Sequence, residues 1–149
     1  MLSWRRLVVI GILSGLAMAA ALFLGGAIAS RITYGPQMAP EGKFEADKIN
    51  ALYFLWTKAL IGACLGIVFS ILYDRLPLAR RLSGPWVGVK YGLVFWFVVS
   101  LWNMSHPIVY GTTELRDKLF WLVYSACGFA GYGAAFGFLY GRSRRRVVS

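Results

Sequence analysis

Lys58, Asn103 and His106 are ionisable or strongly polar, yet they fall inside or at the edge of long apolar stretches. Polar residues at membrane depth mark functional sites by default. Asn103 and His106 lie one helical turn apart, just ahead of Pro107, and His106 is the only histidine. A lone imidazole there suits a haem or pigment ligand, a pH sensor, or a hydrogen-bonded residue beside a proline-induced helix end. Lys58 suits a transport or polar site, or a side chain that snorkels to the outer boundary, where Glu114 or Asp117 would meet it. No other cofactor or metal suggests itself, and haem or pigment at His106 stays open.

The remaining chemistry is sparse. Cys64 and Cys127 sit deep in apolar segments and read as small packing residues. The sequence has no Gly-rich phosphate loop, no paired carboxylates within a span, no Ser-His-Asp set and too few His and Cys for a zinc site. The expectation is a non-enzymatic protein.

The elements that must position these residues follow from composition. The chain has 149 residues, is 58% hydrophobic and 15% charged, and carries a net charge of +10. Soluble domains are about 45–50% apolar and about 25% charged, so a single membrane domain spanning residues 1–149 is expected. Four stretches approach the roughly 20 apolar residues that a spanning helix needs: about 7–30, 51–73, 86–105 and 119–141. Helices satisfy their own backbone in hydrocarbon, and the alternating pattern of a membrane barrel is absent. Arg5, Arg6 and the Ala27-Ile28-Ala29 triplet imitate a secretory signal, but the apolar stretch exceeds the 7–15 residues of a signal core, so a retained span is expected. Thr112 or Thr113 is placed to cap the fourth helix, with Glu114 and Asp117 in its first turn, and Asp47 plays a similar part before the second.

Charge sets the orientation. Four spans put both termini and the middle loop on one side. That side has ten basic residues against Asp74, a net +9, while the other side nets +1. Basic loops stay in the cytoplasm, so both termini are expected there. The basic residues also meet anionic lipid head groups, and no nucleic acid is invoked.

The chain reads as a duplication. Gly66 to Arg75 and Gly133 to Arg142 share G-x-x-F-x-x-L-Y-x-R without gaps, and Gly11, Gly15 and Leu16 match Gly88, Gly92 and Leu93. The halves, about 1–76 and 77–149, would each be one helical hairpin, giving an all-α membrane protein of two tandem hairpins related as parallel repeats. On this match Ser125 is the counterpart of Lys58. Tyr73 and Tyr140 then fall at the inner interface, with Arg75, Arg142, Arg144, Arg145 and Arg146 at the head groups. Small residues mark helix contacts in lipid: Gly11 and Gly15, continued by Ala17, Ala21, Gly25 and Ala29; Gly62 and Gly66; Gly133 and Gly137. The third helix turns bulky after Gly92, so three smooth helices with the aromatics of the third filling the outer half or facing lipid are expected.

The fourth stretch, Tyr132-Gly133-Ala134-Ala135-Phe136-Gly137-Phe138-Leu139-Tyr140-Gly141, with His106-Pro107 ahead of Tyr110-Gly111, resembles small multi-span membrane proteins of bacteria and archaea of unknown function. Those carry Y-G-x-x-x-G-x-L-Y-G in a terminal helix. The resemblance covers about the last 55 residues. Phe129 stands where such proteins often have a histidine. The resemblance implies a bacterial or archaeal cytoplasmic membrane protein and supplies no catalytic residue. The leading expectation is a scaffold or accessory subunit that binds other membrane chains or copies of itself. The alternatives are a small transporter or channel with a pathway between the hairpins, and a pigment- or haem-associated subunit.

Overall fold

A computed structural model describes residues 3–35, 51–75, 84–110 and 115–148. These residues form four helices: α1 (Trp4–Tyr34), α2 (Ala51–Arg75), α3 (Pro85–Tyr110) and α4 (Leu115–Val148). Three contain stretches long and apolar enough to cross a membrane: Trp4–Tyr34, Leu52–Ile71 and Arg116–Arg144. In α3 the apolar run among the described residues, Pro85–Leu101, is shorter. Gly35 ends α1: its φ of +80° turns the chain out of the helix while its N–H still reaches the Arg31 carbonyl at 3.2 Å. At the other end of the chain α4 runs 34 residues, about 51 Å at 1.5 Å per residue, well beyond the hydrocarbon thickness of about 30 Å.

The helix α3 passes the expected stop before Pro107 and continues to Tyr110. Proline lacks the N–H that would pair with the Asn103 carbonyl. The loss falls close to the helix end, where carbonyls have no intrahelical partner in any case.

Two glycine seams hold the helices in pairs. Along the α1–α2 seam the residues alternate as Gly66, Gly11, Gly62, Gly15 and Lys58. A Cβ on Gly11 would stand 2.6 Å from the Gly62 carbonyl oxygen, and one on Gly66 3.0 Å from the Gly11 Cα. Along the α3–α4 seam the order is Gly137, Gly88, Gly133, Gly92 and Phe129, with a Cβ on Gly88 at 3.1 Å from the Gly137 Cα. Backbones this close gain dispersion contacts that lipid cannot offer. A third contact joins the pairs. Further along α1, Ala21 lies against Gly131, Gly25 against Cys127, and Met18 and Leu22 fill the space above Gly128. Helices α1 and α4 are therefore the central pair, with α2 and α3 outside them.

The core is aromatic, and its rings come chiefly from α4. Phe120, Tyr124, Tyr132, Phe136 and Tyr140 recur every four residues, with Gly128 in the same register, so each ring lies next to its neighbour along a ridge that winds around α4. Tyr132, Phe136 and Tyr140 stack in succession at 6.0 and 5.5 Å, and Phe69 of α2 meets Tyr132 edge-on at 5.1 Å. The expected division into three smooth helices and one aromatic one does not describe this packing. Helix α4 is smooth toward α3 and bulky toward the core; Phe97 of α3 is mostly exposed, which agrees with the outward-facing alternative for the aromatics of the third helix. Tyr140, expected at the inner interface, is 2% exposed and belongs to the same cluster as Ile10. Its i, i+4 spacing from Phe136 turns it inward.

Candidate functional site

The Lys58 locus is built by the α1–α2 seam. A glycine at position 15 lets the Lys58 backbone approach so closely that a Cβ there would overlap the Lys58 carbonyl. This fixes the depth of Lys58. Helix α1 is uncharged from Leu7 to Ser30, and Gly15 lies about 12 Å from the N-terminal end of that stretch and about 22 Å from its C-terminal end. The Lys58 ammonium extends one turn toward the N-terminus of α2, 5.3 Å from the centroid of the Phe54 ring. Phe54 in turn meets Phe23 of α1 edge-to-face at 5.4 Å. By the same rise per residue, the ammonium lies about 17 Å from either end of the uncharged stretch of α1.

Counted along α2 alone, the sequence puts Lys58 about two turns inside one end of the second span, with a head group able to reach that end. The seam sets Lys58 opposite Gly15, within the uncharged stretch of α1. A lysine at the centre of a spanning helix costs about 2.5–3.5 kcal/mol on insertion scales. A desolvated cation over an aromatic face recovers about 2 kcal/mol. Helical spacing places Lys58 on the same face of α2 as Phe54, Leu65 and Phe69, which pack in or against the core.

One turn inward from Lys58, Tyr132 of α4 donates its O–H to the Gly62 carbonyl at 2.9 Å. This bond ties α2 to α4 across the core and satisfies a wholly buried phenol. Ser14 and Ser70 likewise donate to backbone carbonyls of their own helices, Ile10 at 2.7 Å and Ile67 at 2.8 Å. Two further polar links join helices. Trp96 Nε1 of α3 donates to Ser125 Oγ of α4 at 3.0 Å, and that hydroxyl donates in turn to the Trp121 carbonyl. At the end of the bundle where α1 stops and α4 starts, the Tyr34 O–H donates to Asp117 Oδ1.

The other expected residues do not gather around Lys58 among the described side chains. Asn103 and His106 lie on the last turns of α3, and their side chains are outside the described ones, as are those of Tyr73 and Arg75 on α2 and of Arg145 and Arg146 on α4. Arg142 is exposed and Arg144 half-buried, at the same end of the bundle as exposed Arg5 and Arg6. Cys64 is exposed, and Cys127 packs on Gly25. Asp117 lies in the first turn of α4; Asp47, Thr112, Thr113 and Glu114 are outside the described residues. No group of three or more His, Cys, Asp or Glu among the described residues could hold a metal ion. Sequence reasoning missed Tyr132, Tyr34 and Trp96. The four-residue recurrence of α4 aromatics was the available signal for the first; nothing local marks the others.

No protein-family model matches the chain, and no solved structure matches it. The chain is similar to the uncharacterized protein YqhR of Bacillus subtilis (strain 168), with 28% identity over 131 residues, covering 80% of this chain and 71% of that protein.

Proposed function

We propose that this chain is a non-enzymatic integral membrane protein, a scaffold or accessory subunit of a membrane complex or homo-oligomer, in the cytoplasmic membrane of a bacterium or archaeon. The observation that carries this reading is the filled interior. Phe69, Tyr132, Phe136 and Tyr140 occupy the core, and the Tyr132 hydroxyl is spent on a backbone carbonyl. The α1–α4 interface, where a pathway between hairpins would run, is closed by Ala21 on Gly131 and Leu22 on Gly128. That packing favours a scaffold over a transporter, whose sites lie at such interfaces. The outward surfaces are broad and apolar, with Leu52, Tyr53 and Trp56 on α2 and Val94, Phe97 and Val98 on α3 all more than half exposed.

The tandem-hairpin arrangement draws support from the two seams. Both interleave a G-x-x-x-G pair with another, in the same alternation. Matching them aligns Gly62 and Gly66 with Gly133 and Gly137, one turn away from the motif match. On that register Lys58 corresponds to Phe129, not Ser125. Orientation rests on charge: with Lys58 at mid-depth, the outer side holds five basic and five acidic residues and is neutral, against +9 inside. Arg5, Arg6, Arg142 and Arg144 converge at the inner end, where each contributes about 1 kcal/mol against anionic lipid heads.

The test is the state of the protein taken from native membranes in lipid nanodiscs and weighed by native mass spectrometry. An assembly, of copies or with a stoichiometric second chain, is expected. A strict monomer with no stoichiometric partner overturns the reading.

A further inference from the structure

We propose that Lys58 is a docking charge for a carboxylate carried within a membrane-spanning helix of a different polypeptide, seated on the side of the bundle between α2 and α3. This rests on the subunit reading above and names the chemistry of the partner. All six acids of the chain, Glu41, Glu45, Asp47, Asp74, Glu114 and Asp117, lie outside the four spans. Asp117 sits at the start of α4 and accepts from Tyr34. The mid-depth ammonium lies over Phe54, a neutral ring.

An ion at mid-membrane is retained where an opposite charge meets it. Lipid phosphates stay at the boundary, more than two helical turns away. Among its described residues a second copy of this chain brings no carboxylate to that level, since Asp74 and Asp117 lie at helix ends. A carboxylate on a foreign spanning helix can meet the Lys58 ammonium there. The place for it follows from the packing. Helix α2 makes its close backbone seam with α1, and α3 makes its own with α4. Between α2 and α3 the rings of Phe69 and Phe95 meet at 5.9 Å, and Lys58 lies on the same face of α2 as Phe69, toward the outer end. It is half-buried, so an approaching side chain can reach it.

The test uses the full chain in native membranes treated with the hydrophobic reagent dicyclohexylcarbodiimide, which condenses an amine with a nearby carboxylate into an amide. The expected product is a cross-linked peptide joining Lys58 to an Asp or Glu of a second polypeptide. In untreated membranes, recovery of that polypeptide should be kept by Lys58→Arg and should fall at least tenfold for Lys58→Gln and Lys58→Met, with helical content and thermal midpoint of the purified variants at or above wild type. Equal recovery with Lys58→Met overturns the proposal and leaves the subunit reading standing. A cross-link to an acid of this chain or to a lipid phosphate also overturns it. The cross-link needs no variant, so a misfolded substitution does not decide the outcome. Absence of any second polypeptide from the wild-type chain overturns the docking proposal outright, and the subunit reading then survives only as a homo-oligomer.

Discussion

The backbone of Lys58 lies against Gly15, at a separation that no side chain at position 15 would permit. That single approach sets a lysine about two turns inside its own helix opposite the middle of its neighbour's apolar stretch. Its first consequence concerns the purified chain. Replacing Lys58 by Met removes the penalty of a mid-depth charge and also its contact with Phe54. The net gain should be roughly 1 kcal/mol, read as a thermal midpoint a few degrees higher in detergent. A lower midpoint for Lys58→Met would mean that the lysine is neutralised within the chain.

The seams make a sharp comparison between two glycines. A Cβ on Gly62 would stand 2.5 Å from the Gly11 carbonyl oxygen and from the Gly15 Cα, whereas one on Gly84 meets nothing within 4 Å among the described residues. Gly62→Ala must push α1 and α2 apart, an overpacking cost of about 1–3 kcal/mol. Gly84→Ala should be neutral within about 0.5 kcal/mol. Thermal unfolding of the two variants side by side checks this.

Tyr132→Phe isolates the bond to the Gly62 carbonyl. Interhelical hydrogen bonds in membranes average about 0.6 kcal/mol, so the loss should be small. Tyr132→Ala also empties the space between Phe69 and Phe136 and should cost about 3–5 kcal/mol. Equal effects of the two substitutions would contradict the stacked core.

At the other polar link, Tyr34→Phe removes the donor to Asp117 and loosens the ends of α1 and α4. Hydrogen exchange of amides in residues 30–34 and 116–119 should quicken several-fold, while amides around Gly15 and Gly131 stay unchanged. Uniform protection throughout would show that Tyr34 contributes nothing to that end.

Much of this architecture was legible in the sequence, and the parts that were not share one cause. Four apolar stretches, their helical nature and their small-residue contact faces follow from composition and spacing, which each helix carries by itself. The depth of Lys58, the inward turn of Tyr140 and the partners of Tyr34 and Trp96 depend on how one helix slides and rotates against another. That register is set by seams such as Gly15 on Lys58, which no spacing within α2 reveals. The motif shared by Gly66 to Arg75 and Gly133 to Arg142 illustrates the limit: it aligned Gly66 with Gly133, whereas the seams align Gly62 with Gly133. The chemistry at His106 was no easier to read, because one histidine and one asparagine specify no ligand set.

The most direct test of a four-span protein with both ends inside is single-cysteine labelling. In a chain carrying Cys64→Ser and Cys127→Ser, one cysteine is placed at a time by Ser3→Cys, Ser143→Cys or Arg116→Cys, and intact cells and inverted vesicles are treated with a membrane-impermeant maleimide. Positions 3 and 143 should react only in inverted vesicles, and position 116 only in intact cells. Labelling of position 3 and position 143 from opposite sides would contradict an even number of spans, and labelling of both from outside would reverse the orientation.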